Sequence, residues 1–240
     1  MTHNNINGIL IVDKPIGITS HDVVDFIRRK FKIKKVGHAG TLDPLATGVL
    51  VVLLGRATKL SNTLLTRDKE YEVLMTLGKR TDTGDADGKV ILEGGDFSKV
   101  TVEATKKILS KFSGDLFQIP PMTSAVKYKG KKLYELARKG IVVERSPRPI
   151  KITGLEILSF NLPEVVLRVK CSKGTYVRVL CDDIGLALGC GAYVARIRRT
   201  GSGEFSLIDA VEFGRLKDMD KDQLPLLLKN ENYYKFTTTS

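Results

Sequence analysis

The residues with the clearest potential for chemistry lie in segment 38–50, where a single carboxylate stands between two glycines. Asp43 is followed directly by Pro44, and the glycines occupy positions 40 and 48. An ionised carboxylate in a loop of fixed shape can act as a nucleophile or as a base. The same Asp-Pro pair is also typical of an ordinary turn, so the loop alone leaves both interpretations open.

The elements around this loop are predicted from hydrophobic periodicity. A short apolar strand over 8–12 precedes a helix over about 20–31, and an apolar run at 49–54 predicts a buried strand after the loop. Further helices are predicted at about 55–65, 101–112 and 180–188, and further strands at 71–77, 89–92, 152–160, 165–171 and 192–199. These patterns alternate without regular βαβ repeats. We therefore expect an α+β fold with a mixed, mostly antiparallel sheet flanked by helices.

The composition indicates a globular protein with a strongly basic surface. The chain has 240 residues, 42% of them hydrophobic, and a formal net charge of +12. Such an excess favours a polyanionic partner, most simply nucleic acid, although a basic protein without that role has the same composition. The longest purely apolar run, 49–54, is far shorter than a membrane span, and the N-terminus is polar. We therefore expect no membrane association and a cytoplasmic location.

More than half of the net charge lies in one segment, residues 118–151. The segment holds nine Lys or Arg residues against two Glu, with Tyr128 and Tyr134 interleaved. We expect a basic excursion from the core, a loop plus a short helix at 132–139, that binds phosphates. Its candidate contacts are Lys127, Lys129, Lys131 and Lys132. A second basic run at 28–35 suits phosphate contacts or, equally, the C-terminal end of a solvated helix.

The cysteines and aspartates offer no convincing metal site. The three cysteines, at positions 171, 181 and 190, form no CxxC pair and are predicted to be small buried groups. Loop 81–88 contains three aspartates but lacks a correctly placed glutamate for a calcium loop. We therefore expect no bound metal.

Four stretches form an ordered set that is more specific than any one of them. They read VDKP at 12–15 with TSHDVV at 19–24, GHAGTLDPLATGVL at 37–50, CSKGTYVR at 171–178, and GAYVARIRRT at 191–200. QIPP at 118–121 and SAVK at 124–127 support the set. In this order, over about residues 8–212, the sequence resembles the TruB family of tRNA pseudouridine synthases.

The resemblance implies a pseudouridine synthase fold and the isomerisation of uridine-55 in the tRNA T loop to pseudouridine, with no metal or organic cofactor. It also implies that Asp43 is the nucleophile, that Tyr71 stacks on the target base, and that Arg178 pairs with the aspartate. It further implies that Tyr176 and Ile197 line the pocket and that His38 contacts the T loop. Lys14 is implied to support the active-site loop.

The chemistry of this reaction needs one ionised carboxylate beside the sugar. The N1–C1′ bond breaks, the uracil rotates, and it rejoins through C5, so nothing is oxidised. Asp43 could attack C1′ or take a proton from C2′ to give a glycal, and the sequence does not distinguish between these two routes. A guanidinium such as Arg178 would keep the carboxylate ionised. The target uridine must be flipped out of its folded loop, and His38 filling the vacated stack would offset part of that cost.

The sequence departs from the family pattern at two positions and at its C-terminal part. Thr123 stands where the family commonly has an aromatic residue, which puts one packing or RNA contact in doubt, and Ile197 stands where leucine is usual. We expect residues 1–212 to form the catalytic domain and 213–240 a short tail, with the family's PUA-type domain absent.

The expected protein is a monomer that acts on the T-arm stem-loop of tRNA with no obligatory protein partner. One alternative is a tRNA-binding or folding module with vestigial catalysis, against which the presence of Asp43, Tyr71 and Arg178 argues. The other is the catalytic subunit of a guide-RNA-dependent pseudouridylase, which would need protein partners and a PUA domain.

Overall fold

The computed structural model describes residues 6–231, which separate into two compact units. The first unit contains the chain up to Tyr71 and again from Ile197 onward, and the second contains Glu72–Arg196. Of the tail predicted at 213–240, residues 232–240 lie outside the described residues, as do residues 1–5.

The secondary structure follows the predicted order of helices and strands. The strands are β1 (Gly8–Lys14), β2 (Val36–His38), β3 (Thr47–Leu54), β4 (Lys69–Leu77), β5 (Lys79–Thr81), β6 (Val90–Glu93), β7 (Gly114–Gln118), β8 (Lys127–Tyr128), β9 (Lys131–Lys132), β10 (Arg148–Asn161), β11 (Glu164–Cys171), β12 (Ala192–Ser202), β13 (Phe205–Ser206) and β14 (Val211–Glu212). The helices are α1 (Ser20–Lys30), α2 (Ser61–Leu65), α3 (Val102–Leu109), α4 (Leu133–Ala137), α5 (Val177–Ala187) and α6 (Phe213–Asp218). Short 3-10 segments lie at Gly55–Leu60, Ser110–Phe112, Leu207–Asp209 and Lys221–Leu227.

The sheet of the first unit has the strand order β14-β1-β3-β12. β1 and β3 are antiparallel along their whole length, from Gly8 opposite Leu54 to Lys14 opposite Gly48. β12 runs parallel to the start of β3, and β2 pairs with the C-terminal end of β3. Together with the antiparallel pairs of the second unit, this confirms the predicted mixed, mostly antiparallel sheet.

Helix α1 precedes the Asp43 loop and strand β3 follows it, and local sequence features account for both elements. Thr19 accepts a hydrogen bond from the Asp22 N–H, and the Asp22 carboxylate accepts one from the Thr19 N–H, so α1 begins with a capping box. Alternate residues of β3 pack on opposite faces, one set against α1 and the other against the segment 55–65. β3 is buried on both faces, which accounts for its continuous apolar run.

The described part of the predicted tail packs on the first unit. Leu216, Met219 and Leu224 are buried in the same cluster as Phe31 of the α1 C-cap. The Ile9 and Lys229 backbones exchange hydrogen bonds of 3.0 and 2.8 Å. Residues 213–229 therefore contribute to the core of this unit.

The second unit has the strand order β4-β11-β10-β7. β10 pairs antiparallel with β11 on one side and with β7 on the other. The excursion 118–151 emerges between β7 and β10 and contains the hairpin β8–β9 followed by α4. The predicted loop and short helix are thus confirmed, although Gln118 and residues 148–151 belong to strands because they complete the β7–β10 ladder.

Helix α5 begins three residues earlier than predicted, at Val177. Tyr176 provides no side-chain cap, so the sequence lacks the usual start signal. The side chain of Gln118 instead accepts from the Tyr176 N–H at 2.7 Å and donates to the Tyr176 carbonyl at 3.0 Å. Arg178 therefore lies in the first turn of a helix.

The three cysteines are free and buried, as predicted. Burial raises the pKa of the Cys181 thiol to about 12, so the thiolate is not formed near neutral pH. In the described part of the chain, no helix has the length and apolarity that a membrane crossing requires.

Gly48 is a glycine that a neighbouring strand approaches closely. Its φ is +97°, and a Cβ added there would lie 2.2 Å from the Arg199 carbonyl oxygen. We expect Gly48→Ala to lower the free energy of unfolding by about 2 to 3 kcal/mol, because both the backbone conformation and the close approach are violated. Gly17→Ala separates the two causes, since Gly17 has φ +86° but open space around it. Its expected cost is about 1 kcal/mol in urea denaturation. Equal costs in the two variants would show that the close approach costs nothing.

Candidate active site

Asp43 opens a tight turn whose backbone is held from two sides. The Ala46 N–H donates to the Asp43 carbonyl at 3.0 Å, with Pro44 at the second turn position. The buried Ser20 hydroxyl accepts from the Leu42 N–H at 2.8 Å and donates to the Leu42 carbonyl at 3.1 Å. The Asp43 residue itself is partly exposed. The loop is thus fixed while its carboxylic acid residue stays accessible.

Lys14, at the end of β1, holds the same turn with a buried ammonium group. Its Nζ donates to the carbonyls of Pro15 at 2.8 Å, Ile18 at 2.6 Å and Pro44 at 3.4 Å. Burial lowers the pKa of Lys14 to about 8, an effect that the charge of Asp43 opposes and the charge of Arg199 reinforces. Lys14 therefore ties β1 to the turn and places a positive charge in the electrostatic environment of Asp43.

The depressed pKa of Lys14 predicts an alkaline limit to turnover. Below about pH 8 the ammonium is protonated, and above it the proton is lost together with one donor and the positive charge. We expect kcat to fall as pH rises through about 8. In Lys14→Arg the alkaline decrease in kcat should move to higher pH, since a guanidinium stays charged. If kcat depends on pH in the same way in both proteins, the alkaline decrease belongs to another group.

Arg199, in β12, is a second buried cation bound to this loop. The residue is 1% exposed. Its Nε donates to the Val49 carbonyl at 2.7 Å, and Nη2 and Nη1 donate to the carbonyls of Gly40 at 3.1 Å and Thr41 at 3.4 Å. Arg199 thereby fastens the segment before Asp43 to the strand after it. Sequence analysis did not single out this residue, and the only available signal was its place in the stretch 191–200.

The other predicted site residues of the first unit line or flank its core. His38 ends β2 opposite Val52 and is partly buried. Burial, reinforced by the charge of Arg199, lowers the pKa of His38, so its imidazole is neutral at pH 7. Tyr71 and Ile197 are partly buried and pack against the core cluster of the unit. Both therefore have a packing role, whatever further role they have.

Arg178, in the second unit, is held by a buried carboxylate. Its Nη1 donates to Asp85 Oδ2 at 2.9 Å, to the Thr83 carbonyl at 3.0 Å and to Thr123 Oγ1 at 3.2 Å. The Arg178 and Asp85 side chains are 8% and 7% exposed. Asp85 Oδ1 in turn accepts from the Thr83 hydroxyl at 2.6 Å and from the Asp87 N–H at 3.2 Å. One arm of the guanidinium is therefore fixed in orientation.

Asp85 is a second site residue, after Arg199, that the sequence does not reveal. In the sequence it is one of three aspartates in the polar loop 81–88. In the structure, the Thr81 hydroxyl donates to the Asp85 carbonyl at 2.7 Å, and Ala86 N–H donates to the Val194 carbonyl at 3.0 Å, so the loop is fastened to β12. Its spacing to Arg178 in the sequence is 93 residues, and no local pattern could have connected them.

The four predicted phosphate contacts lie on the hairpin β8–β9. Lys127 pairs with Lys132 and Tyr128 with Lys131, and Lys129 occupies the turn. Within residues 6–231 none of the four lysine side chains is ion-paired with a carboxylate. Lys129 and Lys132 lie 5.6 and 5.4 Å from the ring centres of Tyr128 and Tyr134. The hairpin therefore presents a cluster of mutually repelling cations, which an anionic ligand would relieve.

The two units divide the predicted residues between them. The first unit brings Asp43 together with Lys14 and contains His38, Tyr71 and Ile197, while the second contains Arg178, Tyr176 and the lysine hairpin. Tyr176 is partly exposed and is anchored through its backbone by Gln118. The predicted pairing of Arg178 with Asp43 joins residues of different units and stays a prediction.

Sequence comparisons relate nearly the whole chain to enzymes that act on RNA. The TruB family pseudouridylate synthase N-terminal domain matches residues 28–177, and the tRNA pseudouridylate synthase B C-terminal domain matches residues 178–229. Proteins named tRNA pseudouridine synthase B from Francisella philomiragia subsp. philomiragia and Francisella tularensis subsp. tularensis are each 48% identical over 219 residues. Those matches cover 91% of this chain and 72% of each relative.

Structural comparisons find similar folds in two solved complexes that contain Cbf5. A chain in the crystal structure of a Cbf5-Nop10-Gar1 complex is 32% identical with a TM-score of 0.71, and one in the archaeal box H/ACA sRNP Nop10-Cbf5 complex is 30% identical with a TM-score of 0.68. Each match covers 93% of this chain, which spans only 60% of the solved chain.

Proposed function

Because the chain belongs to the TruB family of pseudouridylate synthases, we propose that it isomerises uridine-55 in the T loop of tRNA to pseudouridine. The observation that carries this proposal is the 48% identity, over 91% of the chain, to proteins named tRNA pseudouridine synthase B. Asp43, Tyr71 and Arg178 are all present at the positions that the family pattern assigns to chemistry.

Asp43 is proposed to act on the sugar of the target uridine. Its turn is fixed by Ser20, Lys14 and Arg199, so the carboxylate needs little reorganisation when substrate binds. It either attacks C1′ as the N1–C1′ bond breaks or removes the C2′ proton. The uracil then rotates and bonds to C1′ through C5. In the first route the Asp43–C1′ ester bond breaks as this bond forms, and in the second route Asp43 returns the proton to C2′. The C5 proton moves to N1. The product has the composition of the substrate, so no oxidant or cofactor enters the step.

Arg178 is proposed to pair with the Asp43 carboxylate and keep it ionised. A guanidinium presents several N–H donors in one plane, so one arm can bind Asp85 while the rest serve another acceptor. The fixed arm removes rotational freedom that would otherwise be lost on substrate binding. Tyr71 is proposed to stack on the freed base while it turns, with Tyr176 and Ile197 completing the pocket.

The tRNA is proposed to bind through the lysine hairpin and through His38. The hairpin lysines suit backbone phosphates, which fix the position of an RNA without reading its sequence. Extracting the target uridine from the folded T loop costs a few kcal/mol. A neutral imidazole at His38 can fill the vacated stack without the desolvation cost of a charge.

Charge reversal on the hairpin tests the RNA interface. We expect the variant with Glu at positions 127, 129, 131 and 132 to bind tRNA more weakly and with a smaller salt dependence. The slope of log Kd against log salt should fall by about 0.7 to 0.9 for each phosphate that the variant no longer neutralises. The matched control reverses four exposed lysines near α3, at positions 99, 106, 107 and 111. If both variants show the wild-type slope, the hairpin is only a solvated surface.

Mapping pseudouridine in unmodified tRNA after incubation with the purified chain tests the function itself. The proposal expects modification at position 55 alone, on full tRNA and on a bare T-arm stem-loop, without added protein or guide RNA. A vestigial binding module would bind tRNA but release no tritium from 5-tritiated uridine. The structural likeness to Cbf5 favours the guide-dependent alternative, which predicts no reaction on the bare stem-loop.

A further inference from the structure

We propose that Thr123 is a positioning residue that couples phosphate binding at the lysine hairpin to the orientation of Arg178. The inference rests on the proposed function, because it assigns a consequence to Arg178 in the pseudouridine reaction. The observation behind it is the hydrogen bond that the Thr123 hydroxyl accepts from Arg178.

The Thr123 hydroxyl is one of three oxygen atoms around a single Arg178 nitrogen. The other two, the Thr83 carbonyl and the Asp85 carboxylate, come from the loop that is fastened to β12. Thr123 Oγ1, at 3.2 Å from Nη1, is the acceptor of the three that the basic segment supplies. It is also the most distant, so a small displacement of the segment is enough to break this hydrogen bond.

Backbone hydrogen bonds connect the residues that follow Thr123 to the start of α4, the helix directly after the hairpin that carries the lysines. The Ser124 carbonyl accepts from the Tyr134 N–H at 3.1 Å, and the Val126 carbonyl accepts from the Leu133 N–H at 2.8 Å. Leu133 and Leu136 of α4 are buried, at 1% and 8% exposure. An RNA phosphate that binds Lys131 or Lys132 therefore acts on a connected segment, residues 123–136, that begins with Thr123.

A short side chain suits this coupling better than a long one. The Thr123 oxygen is attached to Cβ, so the position of the acceptor follows the backbone of the segment directly. The β-branch also restricts the hydroxyl to few rotamers. An aromatic residue would place its polar atom, if any, several ångströms farther from the backbone and could not follow it in the same way.

Removal of the hydroxyl tests the inference under conditions that separate binding from chemistry. In Thr123→Val, the single-turnover rate at saturating tRNA is expected to fall about tenfold, the effect of one hydrogen bond to a charged group, while Kd stays within about twofold. Thr123→Ser restores the acceptor and the rate. Thr105→Val is the matched control, because the buried Thr105 hydroxyl donates to the Thr101 carbonyl in α3, away from Arg178. Its rate should equal that of wild type.

A double-variant cycle tests the connection to the hairpin. Lys131→Glu should slow the saturated rate in the wild-type background and have a much smaller effect in Thr123→Val, since both changes act through one hydrogen bond. An unchanged rate in Thr123→Val, equal rates in the valine and serine variants, or multiplicative effects in the cycle would each overturn the coupling. If wild type itself forms no pseudouridine while binding tRNA, the proposed function fails and the inference falls with it. A failure of the Thr123 proposal alone leaves wild type active.

Discussion

Replacing Asp43 with asparagine is expected to abolish pseudouridine formation while tRNA still binds within about twofold of wild type. The amide has the shape of the carboxylate but can neither attack C1′ nor accept a proton from C2′. Loss of the single group that performs the covalent or proton-transfer step typically costs about four orders of magnitude or more in rate. The loop should survive the change, because Ser20, Lys14 and Arg199 hold its backbone.

The measurement is tritium release from 5-tritiated uridine in tRNA, with Kd determined on the same preparation. Asp218→Asn, at an exposed position in α6, is the control for removing one negative charge from a basic protein. It should keep the wild-type rate. Turnover by Asp43→Asn at more than about one hundredth of the wild-type rate would exclude a direct chemical role for this carboxylate.

Replacing Arg178 with methionine is expected to lower both activity and stability. Asp85 would then be a buried carboxylate without its cation, and breaking such a pair costs about 3 to 5 kcal/mol of unfolding free energy. Adding Asp85→Asn to this variant should recover part of the stability, because an amide is cheaper to bury than a charge. Activity should not return, since Asp43 still lacks its proposed partner.

The comparison for this prediction is an exposed ion pair of the same unit. Arg168 lies 3.2 Å from Glu156, with side chains 42% and 58% exposed, so Arg168→Met should cost less than about 1 kcal/mol. Urea denaturation gives both values. A similar small cost for Arg178→Met would mean that water or a rearrangement satisfies Asp85. Full recovery of activity in the double variant would show that Arg178 matters only for stability.

The local features of the fold could be predicted because their causes are local. Helix α1 follows from its capping box and from the spacing of Val23, Val24 and Ile27, and all three are buried as that spacing requires. The apolar run in β3 predicted a buried strand for the same reason, and the structure buries both of its faces. The start of α5 could not be predicted, because its capping partner, Gln118, is 58 residues away.

The polar framework of the candidate site lay beyond sequence reasoning for a related reason. Asp85 and Arg199 are an ordinary loop aspartate and an ordinary strand arginine until the fold buries them and supplies their partners. Thr123 could be recognised as a departure, but only the position of Arg178 shows that its hydroxyl accepts a hydrogen bond. Long-range pairing, and not residue type, gives these side chains their roles.

The carbonyl-bound cations Lys14 and Arg199 divide the electrostatics of this enzyme into two independent parts. The Lys14 and Arg199 side chains are 0% and 1% exposed, so salt screens their field at the Asp43 loop much less than it screens an exposed charge. Lys127, Lys129 and Lys131 of the hairpin are exposed, and Lys132 is partly exposed, so counter-ions screen these charges more strongly. A change in ionic strength therefore acts mainly on the hairpin charges and much less on the field at the Asp43 loop.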